Sequence, residues 1–308
     1  MAEKILVTPS SFGKCGNSPL KILKKENYDI VINPFGRKMT SDEVIQLGKD
    51  CIGIIAGVEP LNAKVLKSLS SLRCISRVGV GIDNIDLKCA QELGIVVKST
   101  PDGPTRAVAE LTIGLMFDIL RKISYRDRLI RNGIWNKEMG SLLKDKKIGI
   151  IGLGRIGRTV AELLLVLGAK VTGNDINPDR RWCKLKKISL LTLEELLMQN
   201  DIVCIHISYP SENKPLIGKN EIDMMKQGSF LINLSRGNVV DEEALYNALK
   251  NNHLSGVALD VFNKEPYSGP LTTLDNIVLT SHIGSYAKES RLDMEIQSVK
   301  NLLEVLNN

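Results

Sequence analysis

A short stretch near the middle of the chain, residues 147–157, gives the strongest indication of the fold. Its apolar residues end in three glycines spaced G-x-G-x-x-G, and a helical pattern follows. We expect Gly152 to permit a tight turn, Gly154 to let the backbone approach a pyrophosphate, and Gly157 to let the helix pack closely on its strand. This order of strand, turn and helix predicts a dinucleotide site, because the first N–H groups of a helix attract phosphate.

The sequence after the glycines supports this interpretation over a strand-turn-helix unit without a ligand. A predicted helix over residues 155–167 has an apolar face, and the next predicted strand ends at Asp175, eighteen residues after Gly157. The motif places near this position a carboxylate that accepts hydrogen bonds from the adenosine ribose. Asp175 favours NAD as the cofactor, since a carboxylate repels the extra phosphate of NADP. Arg180 and Arg181 follow closely, so NADP stays an alternative.

Composition sets the outer limits. A chain of 308 residues predicts two domains. No apolar run is long enough to span a bilayer and no signal-peptide pattern opens the chain, so we expect a cytoplasmic protein. The six cysteines are scattered without a C-x-x-C pair, which predicts reduced core residues and no metal site. The net charge is +6, but the lysines and arginines are interspersed with acidic residues along the chain. This pattern favours anionic small molecules over nucleic acid or membranes as partners.

Strands alternate with helices along the chain, which indicates parallel sheets covered on both faces. The breaker-rich residues 99–104 should end the first domain, and the last amphipathic helix could cross back to complete it. We therefore predict an α/β protein with two doubly wound parallel-sheet domains. These are a flavodoxin-like substrate domain over residues 1–100 and 287–308, and a Rossmann-type NAD-binding domain over residues 101–286.

Three late loops carry Arg236, Glu265 and His282, each after a predicted strand. Ligands of open α/β sheets bind outside the carboxyl ends of the strands, so we expect these side chains to converge. An arginine fork suits a carboxylate and a neighbouring carbonyl oxygen, and an imidazole can exchange the proton of a hydroxyl group. A carboxylate that accepts the other imidazole N–H would fix the tautomer. Together these groups suit a 2-hydroxy acid.

Each of these residues also has a structural interpretation. Arg236 could cap a helix or form an ion pair, Glu265 could be a solvated loop residue, and His282 could be a loop histidine with satisfied hydrogen bonds. The other two histidines, His206 and His253, lack an evident acidic partner or lie in a polar stretch, so we expect structural or solvated roles for them.

The chain resembles the D-2-hydroxy acid dehydrogenase family and is most similar to its phosphoglycerate dehydrogenase branch. The motifs that carry the resemblance are Gly79-Val80-Gly81-Ile82-Asp83-Asn84, Val108-Ala109-Glu110-Leu111, GLGRIG, Ser235-Arg236-Gly237, Asp260…Glu265-Pro266 and His282-Ile283-Gly284. The resemblance implies that Arg236, Glu265 and His282 are catalytic, that the active site lies in a cleft between two domains, and that the protein is a homodimer built on its nucleotide domain.

The resemblance also implies binding roles. The N–H groups of Val80 and Gly81 would hold the substrate carboxylate, and Arg77 matches a substrate-contacting arginine that suits a phosphate. Arg155 and Ile156 would contact the pyrophosphate, and Asp260 would contact the nicotinamide carboxamide. The full set of expected cofactor-binding residues is Gly152, Gly154, Arg155, Ile156, Gly157, Asp175, His206, Leu234, Ser235, Asp260 and Gly284.

The expected activity is hydride transfer between NAD and a D-2-hydroxy acid, with D-3-phosphoglycerate and 3-phosphohydroxypyruvate as the first substrate pair. Alternatives are a reductase of hydroxypyruvate, glyoxylate or another 2-oxo acid and, in a different class, an NAD(H)-sensing binding protein that resembles corepressors. The chain departs from the family's Pro-Leu-Thr run at Ile207-Ser208-Tyr209-Pro210. Because the sequence ends at Asn308, we do not expect a regulatory domain or control by serine.

Overall fold

The chain forms two compact units in a computed structural model that describes residues 2–208 and 214–307. The first unit comprises Met1–Pro104 and Ser285–Asn308, and the second comprises Thr105–Gly284. The sequence placed these limits after residues 100 and 286. Residues 101–104 remain with the first unit because Ser290 Oγ donates a hydrogen bond to the carbonyl oxygen of Gly103. Tyr209 and Pro210, in the segment that departs from the family pattern, lie outside the described residues.

The first unit is a five-stranded parallel sheet with helices on both faces. Its strands are β1 (Lys4–Val7), β2 (Asp29–Ile32), β3 (Cys51–Ala56), β4 (Cys74–Arg77) and β5 (Val96–Lys98). Its helices are α1 (Ser18–Lys25), α2 (Ser41–Gly48), α3 (Ala63–Ser68), α4 (Leu87–Glu92) and α12 (Lys288–Leu306). The strand order β2-β1-β3-β4-β5 is that of flavodoxin-like folds and confirms the predicted class.

The central strand β3 explains why this sheet is covered on both faces. All six of its residues are buried, and successive side chains point to opposite faces. Ile54 packs in one apolar cluster, while Ile55 packs in a second cluster with Val299 and Leu302 of α12. The last helix therefore completes the unit that begins at the N-terminus.

The second unit is a seven-stranded parallel sheet. Its strands are β6 (Lys147–Ile151), β7 (Lys170–Asn174), β8 (Ser189–Leu190), β9 (Ile202–Ile205), β10 (Ser229–Asn233), β11 (Leu254–Leu259) and β12 (Ile277–Leu279). Its helices are α5 (Thr105–Arg121), α6 (Ile123–Arg131), α7 (Arg155–Val166), α8 (Arg180–Lys186), α9 (Leu193–Gln199), α10 (Lys219–Met224) and α11 (Glu242–Lys250). The order β12-β11-β10-β9-β6-β7-β8 is the Rossmann order with one further strand, which confirms the predicted class.

Three elements of this unit were not predicted from the sequence. Helix α6 buries none of its residues and α8 buries one; both are short and rich in Arg and Lys, so their few apolar residues did not stand out as a pattern. Strand β8 has two residues, too few to show alternation. In the part of the chain that the structure describes, no helix is both long and apolar enough to cross a membrane, and no cluster of three potential metal ligands occurs.

Candidate active site

The glycine turn follows β6, and two of its glycines are fixed by contacts within the protein. Gly152 has a φ of +94°, and a Cβ there would overlap the carbonyl oxygen of His206. A Cβ at Gly157 would overlap the carbonyl oxygen of Gly152, so only glycine lets α7 approach the turn this closely. The turn and the helix are therefore held together by backbone contact.

Gly154 lies in a different environment. A Cβ built at Gly154 would meet no atom within 4 Å, so the second glycine of the motif faces open space. Gly154 is the N-cap of the twelve-residue helix α7, which begins with the exposed Arg155 and the half-buried Ile156. Open space in front of the N–H groups of a helix start is what a pyrophosphate requires.

Asp175 follows β7 and contacts the glycine turn. Its Oδ2 accepts a hydrogen bond from the backbone N–H of Leu153 at 2.6 Å, and its Oδ1 accepts one from Asn177 at 2.7 Å. An ionised carboxylate can accept about four hydrogen bonds, so it retains capacity for ribose hydroxyls. The adjoining Ile176 is fully exposed and offers an apolar surface for an adenine ring. Sequence reasoning missed Ile176, although an isolated isoleucine after the acidic residue was the available signal.

His206 follows β9 at the same edge of the sheet. Neither of its ring nitrogens is accessible to solvent, and neither has a hydrogen-bond partner within residues 2–208 and 214–307. Burial lowers the pKa of His206 to about 4, so the imidazole is neutral near pH 7. A neutral imidazole offers one donor and one acceptor, and leaving both unused inside a protein is costly. The unused nitrogens and the open space at Gly154 fit a polar ligand such as a dinucleotide.

The loop after β10 is organised by Asn233, a residue that sequence reasoning did not select. Its Oδ1 accepts hydrogen bonds from the N–H of Ser235 at 2.9 Å and from the Ser235 hydroxyl at 2.7 Å, while its Nδ2 donates to the carbonyl oxygen of Arg236 at 2.9 Å. Leu234 and Ser235 are buried, and Arg236 is half-buried. The available signal was a polar residue at the end of a buried strand. Asn233 fixes the backbone that presents Arg236.

The loop that carries Arg236 lies directly against the loop after β11. A Cβ at Gly237 would overlap the carbonyl group of Phe262 and lie 2.5 Å from the backbone nitrogen of Asn263. This close approach follows from the sheet, because β10 and β11 are paired neighbours. Arg236 and Glu265 are therefore carried by loops in contact, although they are far apart in the sequence.

Glu265 and His282 form a direct contact. His282 Nδ1 lies 2.9 Å from Glu265 Oε2, and the other carboxylate oxygen accepts a hydrogen bond from the N–H of Phe262 at 3.1 Å. An ionised carboxylate can only accept, so Nδ1 carries a proton and Nε2 of the neutral ring has a lone pair. The His282 side chain is 52% exposed, and its backbone has a left-handed φ of +56°. An uncommon backbone conformation at an accessible histidine is typical of functional sites.

Asp260, at the end of β11, holds the loop of His282 in place. It is buried, and its carboxylate accepts hydrogen bonds from Thr280 Oγ1 at 2.6 Å, from the N–H of Ile283 at 2.8 Å and from the N–H of Gly284 at 2.7 Å. These three donors offset the cost of burying the carboxylate. The contact of Asp260 with a nicotinamide, which the resemblance implied, stays a prediction; the structure shows its role as an anchor of the loop.

In the first unit, the predicted substrate loop follows β4. Gly79 has a φ of +140°, and its N–H donates to the hydroxyl of the buried Thr100 at 2.7 Å, while the N–H of Thr100 donates back to the Gly79 carbonyl at 3.0 Å. Val80 is 40% exposed on this loop. The half-buried Arg77 turns back, so that its Nη1 donates to the carbonyl oxygen of Val78. Sequence reasoning missed Thr100, which lies in a segment interpreted as a domain end.

Comparisons of sequence and fold with known proteins identify the family. The family model described as "D-isomer specific 2-hydroxyacid dehydrogenase, NAD binding domain" matches residues 113–284. A glyoxylate reductase of Thermofilum pendens is 40% identical over 259 residues, which cover 80% of this chain and 76% of that protein. A D-3-phosphoglycerate dehydrogenase of Archaeoglobus fulgidus is 37% identical over 245 residues, which cover 78% of this chain and 46% of that protein.

A solved structure is similar over nearly the whole chain. It is a protein of Thermus thermophilus with a TM-score of 0.91 and 33% sequence identity, and the match covers 99% of this chain and 97% of that one. By contrast, the match spans about half the length of the Archaeoglobus relative. The sequence similarity, the fold and the NAD-binding match together show that the chain belongs to the D-2-hydroxyacid dehydrogenase family.

Proposed function

We propose that this protein catalyses reversible hydride transfer between NAD and carbon 2 of a D-2-hydroxy acid. The observation that carries this proposal is the 2.9 Å contact between His282 Nδ1 and Glu265 Oε2, where the loop of Glu265 lies against that of Arg236. NAD, when bound, accepts or supplies the hydride. The protein contributes orientation, polarisation of the carbonyl group and proton transfer.

His282 is the proposed acid-base group. In the oxidative direction the substrate hydroxyl proton moves to Nε2 as the bond from carbon 2 to hydrogen breaks and the carbonyl group forms. Glu265 holds the proton on Nδ1 and stabilises the imidazolium that results. In the reductive direction Nε2 returns the proton to the oxygen. The neutral ring must carry its proton on Nδ1 before oxidation and after reduction, and the Glu265 contact selects that tautomer.

Arg236 is the proposed electrophilic group. Its guanidinium presents donors in one plane, which suits the carboxylate and the adjacent oxygen of a 2-oxo acid. Val80 and Gly81 are proposed to hold the substrate carboxylate with their N–H groups, on a loop that Thr100 fixes. Backbone donors held in this way lose little freedom when they bind an anion.

Two substrate classes are candidates. D-3-phosphoglycerate is favoured by Arg77, which adjoins the loop of Val80 and could bind a phosphate. Glyoxylate or hydroxypyruvate is the second class, since one donor of Arg77 is already used by the Val78 carbonyl and these acids need no group that binds a phosphate. Relatives carry both names, since the Thermofilum protein is a glyoxylate reductase and the Archaeoglobus protein is a D-3-phosphoglycerate dehydrogenase.

A panel of 2-oxo acids tests the proposal. NADH oxidation is measured with 3-phosphohydroxypyruvate, hydroxypyruvate, glyoxylate, 2-oxoglutarate and pyruvate, for the wild type and for Arg77→Met. We expect turnover of at least one acid. If the physiological substrate carries a phosphate, Arg77→Met should raise KM for 3-phosphohydroxypyruvate by about tenfold, which corresponds to the loss of a charged hydrogen bond. KM for hydroxypyruvate should stay unchanged. If the protein binds NADH but oxidises it with none of these acids, the proposed enzymatic activity is contradicted and an NAD(H)-sensing protein is favoured.

We also propose that the protein is a homodimer whose interface includes α6 and residues 132–142. Helix α6 buries none of its residues. The exposed apolar side chains of this surface are Ile123, Ile130, Ile134, Trp135, Met139 and Leu142. Exposed apolar groups in such density mark an interaction surface. Light scattering should give twice the mass of one chain, and Trp135→Asp with Met139→Asp should give the mass of a single chain; a wild type with the mass of one chain would contradict the dimer.

A further inference from the structure

The middle residue of the glycine turn, Leu153, is held on both sides of its backbone. Its N–H donates to Asp175 Oδ2 at 2.6 Å, and its carbonyl oxygen accepts a hydrogen bond from Arg158 Nε at 2.8 Å. Its side chain is buried in the apolar core of the second unit and lies so close to Gly173 that a Cβ there would be 2.6 Å from Leu153 Cδ1. Leu153 therefore has little freedom to rotate.

The hydrogen bond from Arg158 also affects the direction of the Gly154 N–H. A trans peptide is planar, and its C=O and N–H point in opposite directions. The Leu153 carbonyl shares its peptide unit with the N–H of Gly154. Because that carbonyl accepts a hydrogen bond from Arg158, the Gly154 N–H of the same peptide points away from Arg158. Gly154 is the residue of the turn whose Cβ position faces open space.

Arg158 is itself immobilised by two further contacts. Its Nη1 lies 3.2 Å from Asp179 Oδ2, and its guanidinium lies over the ring of Trp182 at 5.2 Å from the ring centroid. Asp179 also caps α8 by accepting a hydrogen bond from the N–H of Trp182 at 3.0 Å. The donor that holds the turn is thus fixed by the segment that follows Asp175.

We infer that Arg158 is a positioning residue for the dinucleotide site, which holds the Leu153–Gly154 peptide so that its N–H is ready to meet the pyrophosphate. This inference rests on NAD binding at the glycine turn and assigns Arg158 no contact with the cofactor. Because the donor is pre-positioned, binding does not have to order it. Loss of Arg158 should weaken NADH binding, while the substrate-binding groups and the proton transfer at His282 remain as they are.

The test measures NADH affinity by fluorescence titration, and kcat and KM with the best 2-oxo acid. Arg158→Met should raise Kd for NADH by roughly tenfold, the loss expected for a charged hydrogen bond, with kcat and KM for the 2-oxo acid within about twofold of the wild type. A merely structural role would instead lower the melting temperature and the active fraction, without a selective change in NADH affinity.

Arg37 of the first unit supplies a matched control. Its guanidinium donates to the Lys38 carbonyl at 2.9 Å, lies 2.6 Å from Glu43 Oε1 and stacks over Phe35 at 5.0 Å. Arg37→Met therefore removes the same three kinds of contact in a loop that carries no proposed site residue. Its NADH affinity should equal that of the wild type.

Two further variants separate the contacts of Arg158. Arg158→Lys keeps the charge but lacks the planar Nε–H, so it should still bind NADH at least about threefold more weakly than the wild type. Asp179→Asn keeps the helix cap and removes the ion pair, and its affinity should stay within about twofold. Wild-type affinity in Arg158→Met or in Arg158→Lys would overturn the inference. A wild type that fails to bind NADH would instead overturn the dinucleotide site itself.

Discussion

Two alanine substitutions in the same glycine turn are expected to give opposite results. At Gly157 an added Cβ would overlap the Gly152 carbonyl oxygen, so α7 or the turn must move. Overpacking of this kind costs about 1–3 kcal/mol of unfolding free energy. At Gly154 the backbone has φ −71° and ψ −164°, which alanine adopts without strain, and no atom lies within 4 Å of the new methyl group.

Gly154→Ala should therefore change stability by less than about 1 kcal/mol, because the gain from a less flexible unfolded chain is offset by weaker helix capping. Its methyl group occupies the space where the pyrophosphate would approach. Loss of one charged hydrogen bond costs about 1.5–3 kcal/mol, so Kd for NADH should rise by roughly tenfold to a hundredfold.

Urea unfolding and NADH fluorescence titration, carried out on both variants and the wild type, measure the two effects separately. Gly157→Ala should lose stability, whereas Gly154→Ala should lose affinity at nearly unchanged stability. A Gly154→Ala variant that binds NADH like the wild type, or a Gly157→Ala variant with wild-type stability, would contradict these assignments.

Three further predictions concern single side chains. Asp175→Ala should weaken NADH binding and reduce discrimination against NADPH, since it removes the ribose acceptor and its charge; an unchanged ratio of the two Kd values would contradict this. Burial lowers the pKa of His206 from 6.5 to about 4, so below pH 6.5 the unfolded chain binds a proton that the folded chain excludes. The unfolding free energy should thus fall by roughly 3 kcal/mol between pH 6.5 and 4, and His206→Asn should lack this part of the fall in urea titrations at both pH values. Asp260→Asn should lower kcat more than NADH affinity, because it weakens the anchor of the His282 loop; equal losses in both would argue against that role.

The sheets could be predicted because apolar strands and glycine turns are local signals. The alternation of strands and helices together with the GLGRIG motif predicted two doubly wound parallel sheets, whereas the strand orders themselves are seen only in the structure. Helix α6 was not predicted, because its few apolar side chains lie among several arginines and none of them is buried in the core. Its exposed side chains become informative only when the structure shows that nothing in the described chain covers them.

Some features of the candidate site could likewise be predicted from the sequence, and others could not. That Glu265 and His282 would lie near each other could be expected, because residues at the ends of neighbouring strands share one edge of a sheet. The roles of Asn233, Thr100 and Arg158 could not, since each depends on a hydrogen bond to the backbone whose direction the sequence does not encode. The burial of both ring nitrogens of His206 likewise depends on how the neighbouring elements pack.

The most direct test of the proposed proton transfer compares the wild type with His282→Asn in two assays on the same preparations. NADH binding should agree within about twofold, because His282 contacts Glu265 and has no part in the glycine turn. NADH oxidation with the best 2-oxo acid should fall by a factor on the order of 10² or more, the usual contribution of a general acid-base group. Equal turnover in the two proteins would contradict the assignment of His282 and, with it, the proposed mechanism.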